Sequence, residues 1–161
     1  MQQIVPNLWI NDGLIEEAVD FYVSLFEDSR IVSSTEYAPD AGDLAGQKMG
    51  VYFELMGRSY CAINGGNVVF TPNESLSLAV PCDTQEEIDR LWAALTEGGE
   101  PGPCGWTKDR YGFSWQVYPT RLDEMLTDSN PAKVQRAIDC FMKIDKRAFD
   151  LDELEAAFAG S

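Results

Sequence analysis

At 161 residues, 45% hydrophobic and 11% aromatic, the chain is long and apolar enough to close a real core, as one compact domain or two tightly fused small modules, and too rich in aromatics for a disordered tail. Twelve Lys and Arg stand against 27 Asp and Glu, and the resulting net charge of -15 repels nucleic-acid phosphates and anionic membrane surfaces, excluding both as partners. There is no histidine, so imidazole acid–base catalysis, a serine triad and a histidine-built metal site are excluded as well.

Residues 1–30 contain no basic segment followed by an apolar run and cleavage site, and no stretch reaches the length of a membrane span, so the expected location is cytoplasmic. Gln3 to Ile10 reads as an extended apolar segment, broken by Asn11-Asp12-Gly13. A helix through Phe26 follows, with Ala18, Phe21, Tyr22, Leu25 and Phe26 on one face and Glu16, Glu17 and Asp20 on the other. Three strands come next, Arg30 to Tyr37, Met49 to Met56 and Ser59 to Asn64, with Pro39 to Gly46 as a polar loop and Gly57-Arg58 as a tight turn.

After Gly65-Gly66 and Pro72-Asn73 the order begins again. Ser75 to Pro81 reads as a strand, and Asp83 with Glu86 as the capping box of a helix whose apolar face is Ile88, Leu91, Trp92 and Leu95, ended by Gly98-Gly99. A shorter strand series covers the region Glu100 to Trp106, a turn at Asp109 to Gly112, and Phe113 to Tyr118. Glu16 to Tyr22 aligns with Glu86 to Trp92, acids outside and aromatics inside, so the chain reads as two βαβββ modules, about 1–66 and 74–119, paired within 1–120. Residues 121–161 read as a helical extension of the same domain: Leu122 to Leu126, a helix from Asn130-Pro131 through Met142, and a last one capped by Asp150 with Glu153.

Cys61, Cys82, Cys104 and Cys140 show no Cys-x-x-Cys spacing and read as reduced structural thiols. A calcium loop from Asp145 fails, because Arg147 and Phe149 fall on ligand positions and Ala156 on the closing one. Gly65-Gly66 and Gly98-Gly99 lack the further glycines of a phosphate-binding loop, and no Gly-x-Ser-x-Gly elbow occurs.

The informative constellation is Asp109-Arg110-Tyr111-Gly112-Phe113-Ser114-Trp115-Gln116, a turn feeding a strand with Ser114 and Gln116 on one face and Phe113 and Trp115 on the other. It resembles the Asp-x-x-Gly turn and closing strand of the vicinal oxygen chelate superfamily, which includes glyoxalases, bleomycin-resistance proteins and extradiol dioxygenases. The run Cys104 to Pro119, with Asp128-Ser129-Asn130-Pro131, resembles its PhnB-like, demethylubiquinone methyltransferase-like subgroup. The resemblance implies an α+β fold in which two βαβββ modules form a curled mixed sheet with a cleft, plus the C-terminal helical tail, and it implies a homodimer.

In metal-using relatives the ligands are mostly His and Glu from the first and last strands of each module. By position they fall here at Val5 or Asn7, at Ala62 or Asn64, at Ser75 or Ser77, and at Gln116 in place of the usual Glu. Neutral amides and hydroxyls suit a divalent transition metal poorly, so neither metal nor cofactor is expected. The candidate ligand-binding residues are Asn7, Trp9, Asn64, Ser77 and Gln116, with Trp106, Tyr111 and Trp115 nearby and Trp115 assigned to the core. Together these features predict a metal-free protein that binds a small molecule. The alternatives are a transferase, as the subgroup label suggests, a lyase using Glu54 or Asp109 as base, and a regulatory or assembly module whose tail recruits a partner.

Overall fold

The computed structural model describes residues 4–11, 13–66 and 71–160; Gln3 of the expected first strand and Asp12 of the expected break lie outside them. The chain divides into two compact units, Met1–Phe70 and Thr71–Ser161.

The first unit runs β1 (Asn7–Trp9), α1 (Ile15–Leu25), β2 (Arg30–Glu36), a 3-10 turn at Gly42–Leu44, β3 (Lys48–Leu55) and β4 (Arg58–Ile63). Its sheet has the order β1-β4-β3-β2, with β1 parallel to β4 and the other pairs antiparallel. Side chains alternate across a strand, so one face carries Leu8, Val51, Phe53, Leu55 and Ala62, all buried. Helix α1 is buried along Ile15, Ala18, Val19 and Tyr22, and the Tyr22 ring lies 6.5 Å from that of Phe53. The inward stripe is therefore rotated from the one predicted: Val19 joins it, while Phe21 and Leu25 are half-buried. The β3–β4 turn is Met56-Gly57, with φ of 50° and 72°, as the mirror-image turn of a two-residue hairpin requires; Arg58 is already in the strand.

The second unit repeats the path as β5 (Ser77–Cys82), α2 (Gln85–Thr96), β6 (Glu100–Pro101), β7 (Trp106–Lys108) and β8 (Ser114–Pro119), in the equivalent order β5-β8-β7-β6 with β5 parallel to β8. The predicted capping box is displaced by one residue. Thr84, extended at φ -128°, accepts from the Glu87 amide, and the Glu87 carboxylate takes the Thr84 and Asp83 amides. Glu87 thereby satisfies two otherwise orphan donors, which Glu86 does not.

Helices α3 (Thr120–Leu126), α4 (Pro131–Phe141) and α5 (Leu151–Ala159) complete this unit, with Asn130 and Asp150 as the caps the sequence predicts. They and the segment between α4 and α5 are built into its core: Met125 of α3, Leu154 of α5, and Ile144 and Phe149 between the last two helices are at most 2% exposed. The Cys104 amide donates to Ile144 (2.9 Å) and the Lys146 amide to Gly102 (3.1 Å), so the segment before α5 clamps the 102–105 loop. The Gln85 amide group donates to the Phe149 carbonyl (2.7 Å) and accepts from the Leu151 amide (2.8 Å). No described helix is long and apolar enough to cross a membrane.

Candidate functional site

Register defines the open face of each sheet, the one opposite the packed helix. In the second unit, Ser77 pairs with Ser114 and Ala79 with Gln116, while Trp106 lies opposite Gln116, Lys108 opposite Ser114, and Glu100 opposite Lys108. Ser77, Ser114, Gln116, Trp106, Lys108 and Glu100 therefore share one face. Two of the candidate residues come together: the Gln116 amide donates to the Ser77 hydroxyl at 2.7 Å. Beside it, a recess of about 270 Å³ is lined by Glu74, Glu100, the 101–103 loop, Trp106, Lys108 and Ser114. Lys108 is ion-paired with Glu74 at 2.7 Å, and this hydrogen bond holds the Glu74 carboxyl below and the Lys108 ammonium above their usual ranges.

Asp109 sits under the adjoining turn, 3% exposed. Its Oδ1 accepts from the amides of Tyr111 (2.9 Å) and Phe113 (3.0 Å), and its Oδ2 from the Trp115 indole (2.7 Å). The Gly112 amide closes the turn on the Asp109 carbonyl, with φ of 90° at Gly112. Trp115, 2% exposed, is core, as its parity predicts. These three hydrogen bonds commit the Asp109 carboxylate to holding the turn. Glu54, the other candidate base, is ion-paired with Arg30 at 2.8 Å.

In the first unit the parallel register pairs Asn7 with Cys61 and Trp9 with Ile63, and β3 places Tyr52 against Cys61. Asn7, Trp9, Tyr52, Cys61 and Ile63 thus share the open face. Asn7 is exposed and donates to the Val5 carbonyl (2.8 Å). The Trp9 indole donates to Asn11 (3.0 Å), and its ring lies where a Cβ on Gly65 would be, only 1.8 Å from Cζ2. Burial pushes the Cys61 thiol up, partly offset by a hydrogen bond with the Tyr52 hydroxyl.

Asn64 is placed differently from Asn7 and Trp9. One residue past Ile63, it takes the opposite parity, is 1% exposed, and donates from Nδ2 to Gln47 and to the Lys48 carbonyl, both at 3.2 Å, while Oδ1 accepts from Gly66. Its side chain braces the segment leading into β3. Pairing Trp9 with Ile63 makes Ile63 the counterpart of Gln116, and the signal for it in the sequence was a single step of strand parity.

At the strand positions that the resemblance matches to metal ligands, the first unit carries Asn7 and Ile63 and the second Ser77 and Gln116; taken unit by unit, neutral amides, a hydroxyl and an alkyl group suit a divalent transition metal poorly. Among the described residues no group of three His, Cys, Asp or Glu side chains converges on one point.

Two βαβββ units, each closing a parallel first–last strand pair beside an Asp-x-x-Gly turn in the second, define the vicinal oxygen chelate class. Solved structures agree with this fold. A fosfomycin resistance protein, FosX, from Listeria monocytogenes has a TM-score of 0.54 at 14% identity, over 79% of this chain and 98% of its own. The same protein has been solved with Mn(II) and sulfate. A Pseudomonas aeruginosa protein has a TM-score of 0.60 at 24% identity, over 74% of this chain and 98% of its own. Within this class the chain belongs to the 3-demethylubiquinone-9 3-methyltransferase (PhnB-like) family, whose model matches residues 2–118. A Bacillus cereus PhnB protein bearing that family description is 35% identical, with a TM-score of 0.62, over 73% of this chain and 99% of its own. No curated protein matches the chain.

Proposed function

We propose that this chain binds a small molecule on the open face of its second sheet, without a metal. One observation carries the reading: Gln116 and Ser77, at superfamily metal positions, hydrogen-bond to each other beside a recess walled by Trp106. An apolar wall with a few fixed polar groups suits a small organic ligand, whereas a neutral amide and hydroxyl supply neither the charge nor the softness a transition metal favours. The family description suggests methyl transfer, but no glycine-rich loop opens α1 or α2 to cradle a nucleotide-type methyl donor. The lyase reading loses one of its two candidate bases, because Asp109 is occupied by three hydrogen bonds.

The test is a thermal-shift panel of amphipathic aromatic compounds and quinones, with hits titrated calorimetrically in EDTA, in added Mn(II), and against S-adenosylmethionine. Hits whose affinity is the same in EDTA and in Mn(II), with no heat from S-adenosylmethionine, are the expected result. A panel without hits, or binding that appears only with Mn(II), would overturn the reading.

A further inference from the structure

Among the described residues two buried side-chain polar atoms have no hydrogen-bond partner, Trp92 Nε1 on α2 and Oγ of Ser114, a residue that lines the recess. A buried hydroxyl without a partner forfeits its hydration for nothing and gains whenever a partner arrives. Ser114 is 4% exposed, and its neighbours on the face leave it unserved: Ser77, opposite it in register, is engaged by Gln116, and Lys108 is turned to Glu74.

The rest of the recess restricts what that partner is. Trp106, Pro101 and Pro103 give flat apolar walls, and the volume of about 270 Å³ matches one or two fused rings. Glu74 and Glu100 already outnumber Lys108 in the lining, so an anionic ligand meets no spare positive charge. We infer that the recess is a site for an uncharged, planar one- or two-ring aromatic carbonyl compound, with its ring against Trp106 and its oxygen accepting from the Ser114 hydroxyl, which turns from its shielded position toward the recess when the ligand binds. This rests on the small-molecule reading above and specifies the site and the ligand class.

The test uses calorimetric titration of the full chain with chromone, a planar two-ring ketone, and with naphthalene, which has the same flat shape and no oxygen. Ser114→Ala removes a hydroxyl that bonds to nothing in the protein, so its melting temperature should match the wild type. It should lower chromone affinity about fivefold, the worth of one neutral hydrogen bond, and leave naphthalene binding unchanged. Trp106→Leu should weaken both. Equal chromone affinity in wild type and Ser114→Ala, or an equal loss for both compounds, overturns the recess assignment while the broader binding reading stands on its own panel. A wild-type chain that binds neither chromone nor anything in that panel overturns both.

Discussion

Replacing Asp109 with alanine separates a structural carboxylate from a catalytic one. The substitution strips the acceptor from three donors at once: the Trp115 indole N–H, inside a side chain 2% exposed, and the amides of Tyr111 and Phe113 in the turn. A buried donor left unsatisfied costs about 1–3 kcal/mol, and a turn amide that water can partly reach about 0.5–1 kcal/mol. Together they predict a loss of about 3 kcal/mol, a large fraction of the 5–15 kcal/mol typical of a domain. With a urea m-value of about 2 kcal/mol/M, the midpoint should fall by about 1.5 M. Asp109→Asn keeps the acceptor for the two amides but turns an N–H toward the indole, so its loss should be about half as large. Equilibrium urea unfolding followed by indole emission measures both, since Trp92, Trp106 and Trp115 all lie in the second unit. A midpoint unchanged by Asp109→Ala would refute the turn-holding role and return the carboxylate to candidacy as a base.

Phe149→Ala should cost about 3–5 kcal/mol, because the ring is 1% exposed and packs where a Cβ on Gly105 would come within 2.5 Å of it. A chain ended after Thr127 should lose the near-UV circular dichroism of the second unit altogether; native tryptophan signals in that truncation would instead support a tail that recruits partners independently of folding. Thiol chemistry should be strongly graded. Burial, helped by Glu87, pushes the Cys82 thiol up to about 11, and burial also raises Cys61 and Cys140, so at pH 8 only about one Cys82 in a thousand is thiolate. Cys104, the one of the four that is not buried, should account for a single fast equivalent with a disulfide reagent, eliminated by Cys104→Ala; the other three should react slowly and speed up with rising pH or denaturant.

The features legible in the sequence were those whose cause is local. Asn130-Pro131 and Asp150 with Glu153 cap their helices as predicted because a cap is decided within four residues. The repeated βαβββ order was legible from two helices following strands with acids on the outer face, although Phe21 and Trp92, expected inside, are only half-buried. Where two local solutions competed, one residue was lost: Asp83-x-x-Glu86 and Thr84-x-x-Glu87 both satisfy the capping pattern, and only the backbone shows that Thr84 is the extended residue. A one-residue step matters more at Asn64, since it exchanges the faces of a strand and sets Asn64 apart from Asn7 and Trp9. What was not legible is long-range. Nothing near Cys104 announces that Ile144 and Lys146 hold its loop, and nothing near Lys108 announces Glu74 as its partner.

Polar groups on a sheet face contribute to ligand binding according to what they give up. Gln116 and Ser77 already satisfy one another at 2.7 Å, so a ligand that engages either must first break that bond and recovers little beyond it. Ser114, on the same face, gives up nothing. The Ser77–Gln116 amide–hydroxyl pair is in this sense self-contained. Affinity should therefore concentrate along the strand toward Ser114 and Trp106, where one unmet donor adjoins an apolar wall, and Gln116→Ala should alter ligand affinity less than Ser114→Ala does.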